Sequence, residues 1–83
     1  MEELKAQFLL EAKCLQDLRR DWYNDRATKE AMEAQAKKTA DIYNQFAYAL
    51  AKDRGMRVPA RINWSVLMRS IDRFRSTIDR LQP

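Results

Sequence analysis

The sequence contains no histidine and a single cysteine, Cys14, among its 83 residues. Zinc sites of the Cys/His type and His-dependent nucleophilic catalysis are therefore excluded, and no disulfide can form within the chain. A glycine-rich phosphate loop is also excluded, because Gly55 is the only glycine. The acids, lysines and tyrosines form no recognisable catalytic motif. We therefore expect a protein that is not an enzyme and that uses neither a metal nor a cofactor.

One glycine and two prolines are too few for the many turns of an all-β protein. Apolar residues make up 46% of the chain and charged residues 34%, which is typical of a folded helical domain and too apolar for a disordered one. A chain of this length holds one small domain. The sequence predicts a single all-α domain over residues 1–83, folded as a compact three-helix bundle with helices near 2–23, 28–54 and 60–82.

The first helix is predicted from an apolar face that repeats at helical spacing. Its members are Leu4, Phe8, Leu15, Leu18 and Trp22. Glu11 interrupts this face, so we expect it either to lie at the edge or to pair with an arginine of the third segment or of a partner chain. Cys14 lies four residues from both Leu10 and Leu18, and we expect it to face the core as a small apolar group.

Two boundaries separate the first helix from the second and the second from the third. Asp25 or Thr28 can cap the second helix, although a single helix continuing to residue 54 remains an alternative. Gly55 can adopt the left-handed conformation that ends a helix, with Met56 folding back onto Leu50 or Ala51. The third helix then begins at Pro59 or is capped by Asn63.

The third helix carries the most regular apolar pattern in the chain, with spacings of 3, 4, 3, 4 and 3 residues. The pattern consists of Trp64, Leu67, Ile71, Phe74, Ile78 and Leu81. Such a narrow seam favours packing along other helices. We expect it to form the inside of the bundle, and the alternative is a face for dimerisation or for a partner's helix.

Positive charge is concentrated in the last third of the chain. Residues 54–83 carry seven arginines and two aspartates, a net charge of +5, whereas residues 1–53 have a net charge of −1. Arg69, Arg73 and Arg80 lie away from the apolar seam, and Arg57 and Arg61 lie before or within the first turn of the helix. Guanidinium groups form bidentate contacts with phosphate or carboxylate, so this arginine stripe could bind nucleic acid. Alternatively, Asp72 and Asp79 pair with arginines of the same helix and the face is only solvated.

The segment Leu50–Met56 resembles the first half of a helix-turn-helix motif. An alanine precedes Gly55 by four residues, and an apolar residue follows it. The second half departs from that pattern, because Pro59 and Arg61 lengthen the connector and Trp64 comes late for an anchor of the recognition helix. If the resemblance held, Arg57, Arg61 and Asn63 would reach the nucleic acid.

Aromatic residues indicate a second kind of surface. Trp22, Tyr23, Tyr43, Tyr48 and Trp64 exceed what so small a core must bury, and Trp, Tyr and Arg dominate protein interfaces. We therefore expect a small intracellular binding protein, a regulator or inhibitor that docks on a larger protein; the alternatives are a nucleic-acid-binding protein and a helical assembly subunit. The candidate partner-binding residues are Tyr23, Tyr48, Arg57, Arg61, Trp64, Arg69, Arg73 and Arg80.

The remaining expectations concern location and assembly. The N-terminus is acidic where a secretory signal would be basic, and no apolar run is long enough to cross a membrane. A lone cysteine suits a reducing compartment, so we expect a cytoplasmic protein without a membrane partner. A homodimer would help to stabilise a core of this modest size.

Overall fold

The computed structural model describes residues 1–81, which form four helices and, within that range, no strand. The helices are α1 (Glu2–Tyr23), α2 (Lys29–Asp53), α3 (Trp64–Arg69) and α4 (Ile71–Arg80). The predicted all-α helical bundle is confirmed. The first two helices have the expected bounds to within one residue, whereas the single helix predicted near 60–82 is wrong in detail, because two shorter helices replace it. Residue 82, its predicted end, lies outside the described residues.

A turn over residues 24–28 separates α1 from α2, so the alternative of one continuous helix is wrong. Asp25 adopts a left-handed conformation with φ of 58°. The amide of Asn24 donates to the carbonyls of Arg20 and Asp21, which completes the end of α1. The hydroxyl of Thr28 then accepts a hydrogen bond from the amide of Ala31 at 3.1 Å and caps α2 as expected.

The predicted end of α2 at Gly55 is confirmed. Gly55 has a φ of 64°, in the region that favours glycine, and the amide of Met56 donates to the carbonyl of Ala51 at 2.8 Å. Residues 54–63 then connect α2 to α3 without helical structure. This connector is longer than the three- or four-residue turn of a helix-turn-helix motif, so the resemblance stops at its first half.

Asn63, and not Pro59, sets the start of α3. Its side-chain oxygen accepts a hydrogen bond from the amide of Val66 at 3.0 Å, which caps the helix at Trp64. α3 ends at Arg69, because the next residue, Ser70, has a φ of −121°, which is not helical. Ser70 therefore forms a break between α3 and α4. At this break the guanidinium of Arg19 donates to the carbonyl of Met68 at 3.0 Å, so the break exposes no unpaired carbonyl there.

The core lies where α1, α2 and α4 meet, with α3 closing one side. α1 runs antiparallel to α2, because Phe8 contacts Tyr43 and the later Glu11 contacts the earlier Gln35. It also runs antiparallel to α4, because Lys5 contacts Leu81 and Arg19 contacts Asp72. The buried apolar residues that cluster in this core are Phe8, Ala12, Leu15, Met32, Ala36, Ala40, Ile42, Phe46, Leu67, Ile71 and Ile78. Three members of the predicted apolar seam, Leu67, Ile71 and Ile78, are buried in this core despite the break at Ser70, whereas Trp64, Phe74 and Leu81 are only partly buried.

Two expectations for α1 need correction. Cys14 is exposed and not in the core, because the buried line of α1 runs through Phe8, Ala12 and Leu15. Glu11 is paired, but its partners come from α2: its carboxylate lies 3.3 Å from the ammonium of Lys38 and accepts a hydrogen bond from Gln35 at 2.6 Å. Its partner is therefore not an arginine of the third segment.

A lysine ties the two ends of the described chain together. The ammonium of Lys5 donates to the carbonyl of Leu81 at 2.6 Å and to that of Asp79 at 3.1 Å. A cation at the C-terminus of α4 also complements the helix dipole. Among residues 1–81, no helix combines the length and hydropathy that a membrane span needs.

Candidate docking groove

An apolar groove opens between the C-terminal half of α2 and α4, and the connector borders it. Its volume is about 400 Å³, and it is neither an enclosed cavity nor a flat surface. Its apolar walls come from Tyr43, Phe46, Leu50 and Ala51 of α2 and from Phe74, Ile78 and Leu81 near α4. We call it the arginine-rimmed groove, because Arg54, Arg57 and Arg73 also line it. A volume of this size accepts several side chains of a ligand or a partner.

Small residues of α2 leave this space unfilled. Ala47 and Ala51 face the groove one helical turn apart, at positions where larger side chains would pack against α4. At one end the ring of Phe74 meets that of Tyr43 edge-on, with centroids 5.0 Å apart. Burial raises the pKa of Tyr43, so its hydroxyl is neutral at neutral pH. The groove is therefore apolar along its floor, and the tyrosine at its aromatic end carries no charge.

The charge around the groove has one sign. Arg57 on the connector and Arg73 on α4 are exposed at its edge, and Arg54 follows the end of α2. Within the described part of the chain, no aspartate or glutamate lines the groove. Arginines beside an apolar surface favour a partner that combines apolar side chains with carboxylates.

Asn44 positions the connector beside the groove. Its side-chain amide donates to the carbonyl of Ile62 at 3.0 Å and accepts from the amide of Ile62 at 3.0 Å, and Asn44 itself is 7% exposed. This pair of bonds fixes the end of the connector that precedes α3 against α2. Sequence reasoning missed Asn44. The available signal was an asparagine, a poor helix former, inside a helix among large apolar residues.

The opposite flank of α4 is polar and faces α1. Arg75 donates to Gln16 at 2.7 Å, and the amide of Gln16 donates to the carboxylate of Asp72. Arg19 lies 3.5 Å from the same carboxylate. The expected pairing of Asp72 with an arginine of its own helix is therefore wrong: α1 supplies its partners. We call this set of contacts the α1 flank.

The predicted arginine stripe is divided between separate surroundings. Arg73 and Arg57 line the groove, whereas Arg69 belongs to α3 on the far side of the break at Ser70. Arg80 is exposed on α4 and donates to the carbonyl of Ser76 at 3.3 Å. Arg61 lies 3.8 Å from Asp41 and borders a neighbouring depression. Of the five arginines, only Arg57 and Arg73 line the groove.

The three predicted aromatic residues occupy different parts of the surface. Tyr23 is 71% exposed at the end of α1, where it packs against Trp22 with ring centroids 5.1 Å apart. Tyr48 is 52% exposed and, with Arg61, borders the depression on the other side of the connector. Trp64 is half-buried, with the ammonium of Lys37 5.9 Å from its ring centroid. None of the three lines the groove.

Sequence reasoning assigned the groove's apolar residues to the core. Leu50, Phe74 and Leu81 are only partly buried, and Met56 is 63% exposed. The signal that could have found the groove is the run of alanines in α2, which provide too little volume to fill the space beside the seam. Among the residues that the structure describes, no group of three potential ligand side chains could hold a metal ion.

Comparisons with protein-family models, with curated proteins and with solved structures found no match to this chain. The groove and its surroundings are therefore the features that bear on its function.

Proposed function

We propose that this chain is a small non-enzymatic binding protein that regulates or inhibits a larger protein by docking on it through the arginine-rimmed groove. The observation that carries the proposal is an apolar groove left open in a folded domain, with Arg57 and Arg73 exposed at its edge and no aspartate or glutamate among the described residues that line it. Apolar surface of this kind is costly to leave in water and is typical of interaction sites. A partner segment with apolar and acidic side chains complements it.

The apolar floor of the groove and the arginines at its rim contribute differently to binding. The floor, with Leu50, Phe74 and Ile78, supplies affinity through burial of apolar surface. Arg57 and Arg73 attract an acidic partner and fix its position, since charge complementarity acts mainly on the rate and specificity of association. The exposed and flexible Met56 adapts to the bound side chains.

Two alternatives have weaker support. A phosphate backbone is bound by a row of cations, but Arg69, Arg73 and Arg80 lie in three different surroundings. An assembly subunit was expected to use the apolar seam, but Leu67, Ile71 and Ile78 of that seam are buried in the bundle and only its partly buried members are left to contact another chain. A cytoplasmic location remains a prediction, supported by the lone cysteine.

Selection from a displayed library of random 16-residue peptides tests the proposal. Three immobilised proteins are compared: the unmodified chain, Thr77→Glu, and the matched control Ser76→Glu. Both substitutions add one negative charge at an exposed position of α4, but only Thr77 lines the groove. We expect acidic, apolar peptides to be enriched, to lose at least tenfold in affinity on Thr77→Glu, and to keep it on Ser76→Glu. Circular dichroism verifies that both variants fold.

Two results would contradict the proposal. One is the absence of any peptide whose binding depends on Thr77. The other is binding of random duplex DNA or single-stranded RNA whose affinity falls linearly with salt on logarithmic axes and is weakened equally by Arg69→Glu and Arg73→Glu. That second result would favour the nucleic-acid alternative, because Arg69 does not line the groove.

A further inference from the structure

Building on the proposed function, we infer that the segment bound in the arginine-rimmed groove is an amphipathic α-helix of about three turns, with acidic residues near both of its ends. Three features carry this inference: the length of the groove, the nature of its walls and the positions of its arginines. Each is independent of the identity of the partner.

The length of the groove follows from the residues that mark its ends. Tyr43 lines one end and Arg54 the other, and both are on or immediately after α2. Eleven residues of α-helix rise about 16 Å. A partner helix of about three turns therefore covers the groove from end to end.

The walls favour a helix over an extended strand. Most of the groove is lined by side chains of α2 and α4, whose backbone groups are used in their own helical hydrogen bonds. Such walls offer no sheet edge, so an extended peptide would find few backbone partners there, whereas a helix satisfies its own backbone. The small side chains of Ala47 and Ala51 allow a third helix to approach α2 closely.

The arginines lie toward opposite ends of the groove. Phe74 packs against Tyr43, so its neighbour Arg73 belongs to the aromatic end, while Arg54 and Arg57 lie where α2 finishes. A bound helix lying along the groove therefore meets a guanidinium near each end. Carboxylates at its two ends complement both, and apolar residues three and four positions apart fill the floor between them.

Proline substitution in the peptides selected by display tests this inference. A proline placed at the centre of each peptide is compared with a proline at its first helical position, where proline is tolerated. Affinity is measured by fluorescence anisotropy and helicity by circular dichroism. We expect the central proline to weaken binding at least tenfold, the N-terminal proline to change it less than threefold, and the unmodified peptides to gain helicity when bound.

Charge placement provides the second measurement. Replacing glutamates or aspartates at both peptide ends with the corresponding amides is expected to weaken binding about fivefold or more, whereas the same change at the centre has little effect. Arg57→Glu, a second groove variant, should reproduce the loss of the end charges, and Arg69→Glu should not.

The outcomes separate this inference from the proposed function. Peptides that require the groove but tolerate a central proline, or gain no helicity, would overturn the helix while leaving the groove as a docking site. If Thr77→Glu weakened the binding of none of the selected peptides, both the bound helix and the proposed docking function would be overturned. Competition by dodecanoic acid at micromolar concentration would assign the groove to a fatty acid. A dimer, detected by light scattering, that dissociates when peptide binds would assign the groove to a second copy of the chain. Either result would overturn the partner helix as the occupant.

Discussion

α4 has one flank against α1 and one facing the groove, and the arginines on the two flanks have different surroundings. On the α1 flank, Arg75 donates to Gln16, and Asp72 is held by Gln16 and Arg19. On the groove flank, Arg73 stands beside apolar residues with no acid lining the same space. Two residues along one helix thus separate an arginine used for the fold from one available for a partner.

The difference arises from the elements that α4 faces. α1 presents polar side chains at the matching level, so charges on that flank find partners within the chain. α2 presents Ala47 and Ala51, which neither fill the space nor provide an acceptor. The identity of the facing helix, and not the residue type on α4, decides whether a charge is structural.

Ile71→Asp is the change expected to have the largest effect, because Ile71 packs α4 into the core and so supports both of its flanks. Ile71 is fully buried, and a carboxylate there has no partner, so we expect a loss of at least about 4 kcal/mol and an unfolded chain. Urea denaturation followed by circular dichroism measures it. Val66→Asp, at a position 44% exposed, is the control and should stay within about 1 kcal/mol. If the unmodified chain were an oligomer and Ile71→Asp a folded monomer, the seam would instead lie at an interface between chains.

Asn44→Ala comes next in expected size and tests how the groove is bordered. It removes two hydrogen bonds to Ile62 and leaves that residue's amide and carbonyl without their partner, which we expect to cost about 2 kcal/mol. Gln45→Ala, at the exposed neighbouring position, should cost less than about 0.5 kcal/mol. Amide exchange at Ile62 should accelerate in the first variant alone. Unchanged exchange would show that the connector is held by other contacts.

Arg75→Ala and Arg73→Ala compare the two flanks directly. The first loses the bond to Gln16 and should destabilise the fold by about 0.5–1 kcal/mol, while the second should change stability by less than about 0.3 kcal/mol. For peptide binding at the groove the order should reverse, with only Arg73→Ala weakening it. Equal effects of the two variants in both measurements would remove the distinction between the flanks.

The smallest effect concerns pH and Asp17 on α1. A hydrogen bond from Lys13 lowers the pKa of Asp17 below 3.8. Because the folded pKa is depressed, this contribution to stability is present above pH 3.8 and is lost as the pH falls through the folded pKa. Lys13→Ala should raise the pKa of Asp17 toward 3.8 in an NMR titration, and Lys29→Ala, at a distant exposed lysine, should leave it unchanged. An unchanged pKa of Asp17 in the Lys13→Ala variant would contradict this assignment.

Local signals predicted the helices well, because each depends on nearby residues. The spacing in α1, the cap at Thr28 and the left-handed Gly55 were sufficient for α1 and α2. The break at Ser70 was not predictable in this way. The apolar seam continues through it without interruption, and the carbonyl of Met68 is satisfied by Arg19, which is 49 residues away in sequence.

The groove was harder to predict than the helices, because it consists of missing volume. Arg57 and Arg73 were singled out for their charge, and both line it. Tyr23, Tyr48 and Trp64 were singled out for their residue type, but their positions depend on how the helices pack, and the bundle places all three elsewhere. Cys14 was misplaced because its spacing from Leu10 suggested burial, while Leu10 itself is 63% exposed.

The contact of Lys5 with the end of α4 links the groove to folding dynamics. A helix as short as α4 is unstable alone, so it persists only while it is packed on the rest of the bundle. Lys5 stabilises its last turn by hydrogen bonds to the carbonyls of Asp79 and Leu81. One wall of the groove thus exists only in the docked state, and any molecule that fills the groove shifts the equilibrium toward that state by mass action. Occupancy of the groove therefore becomes measurable without a label, as slower amide exchange along Ile71–Arg80.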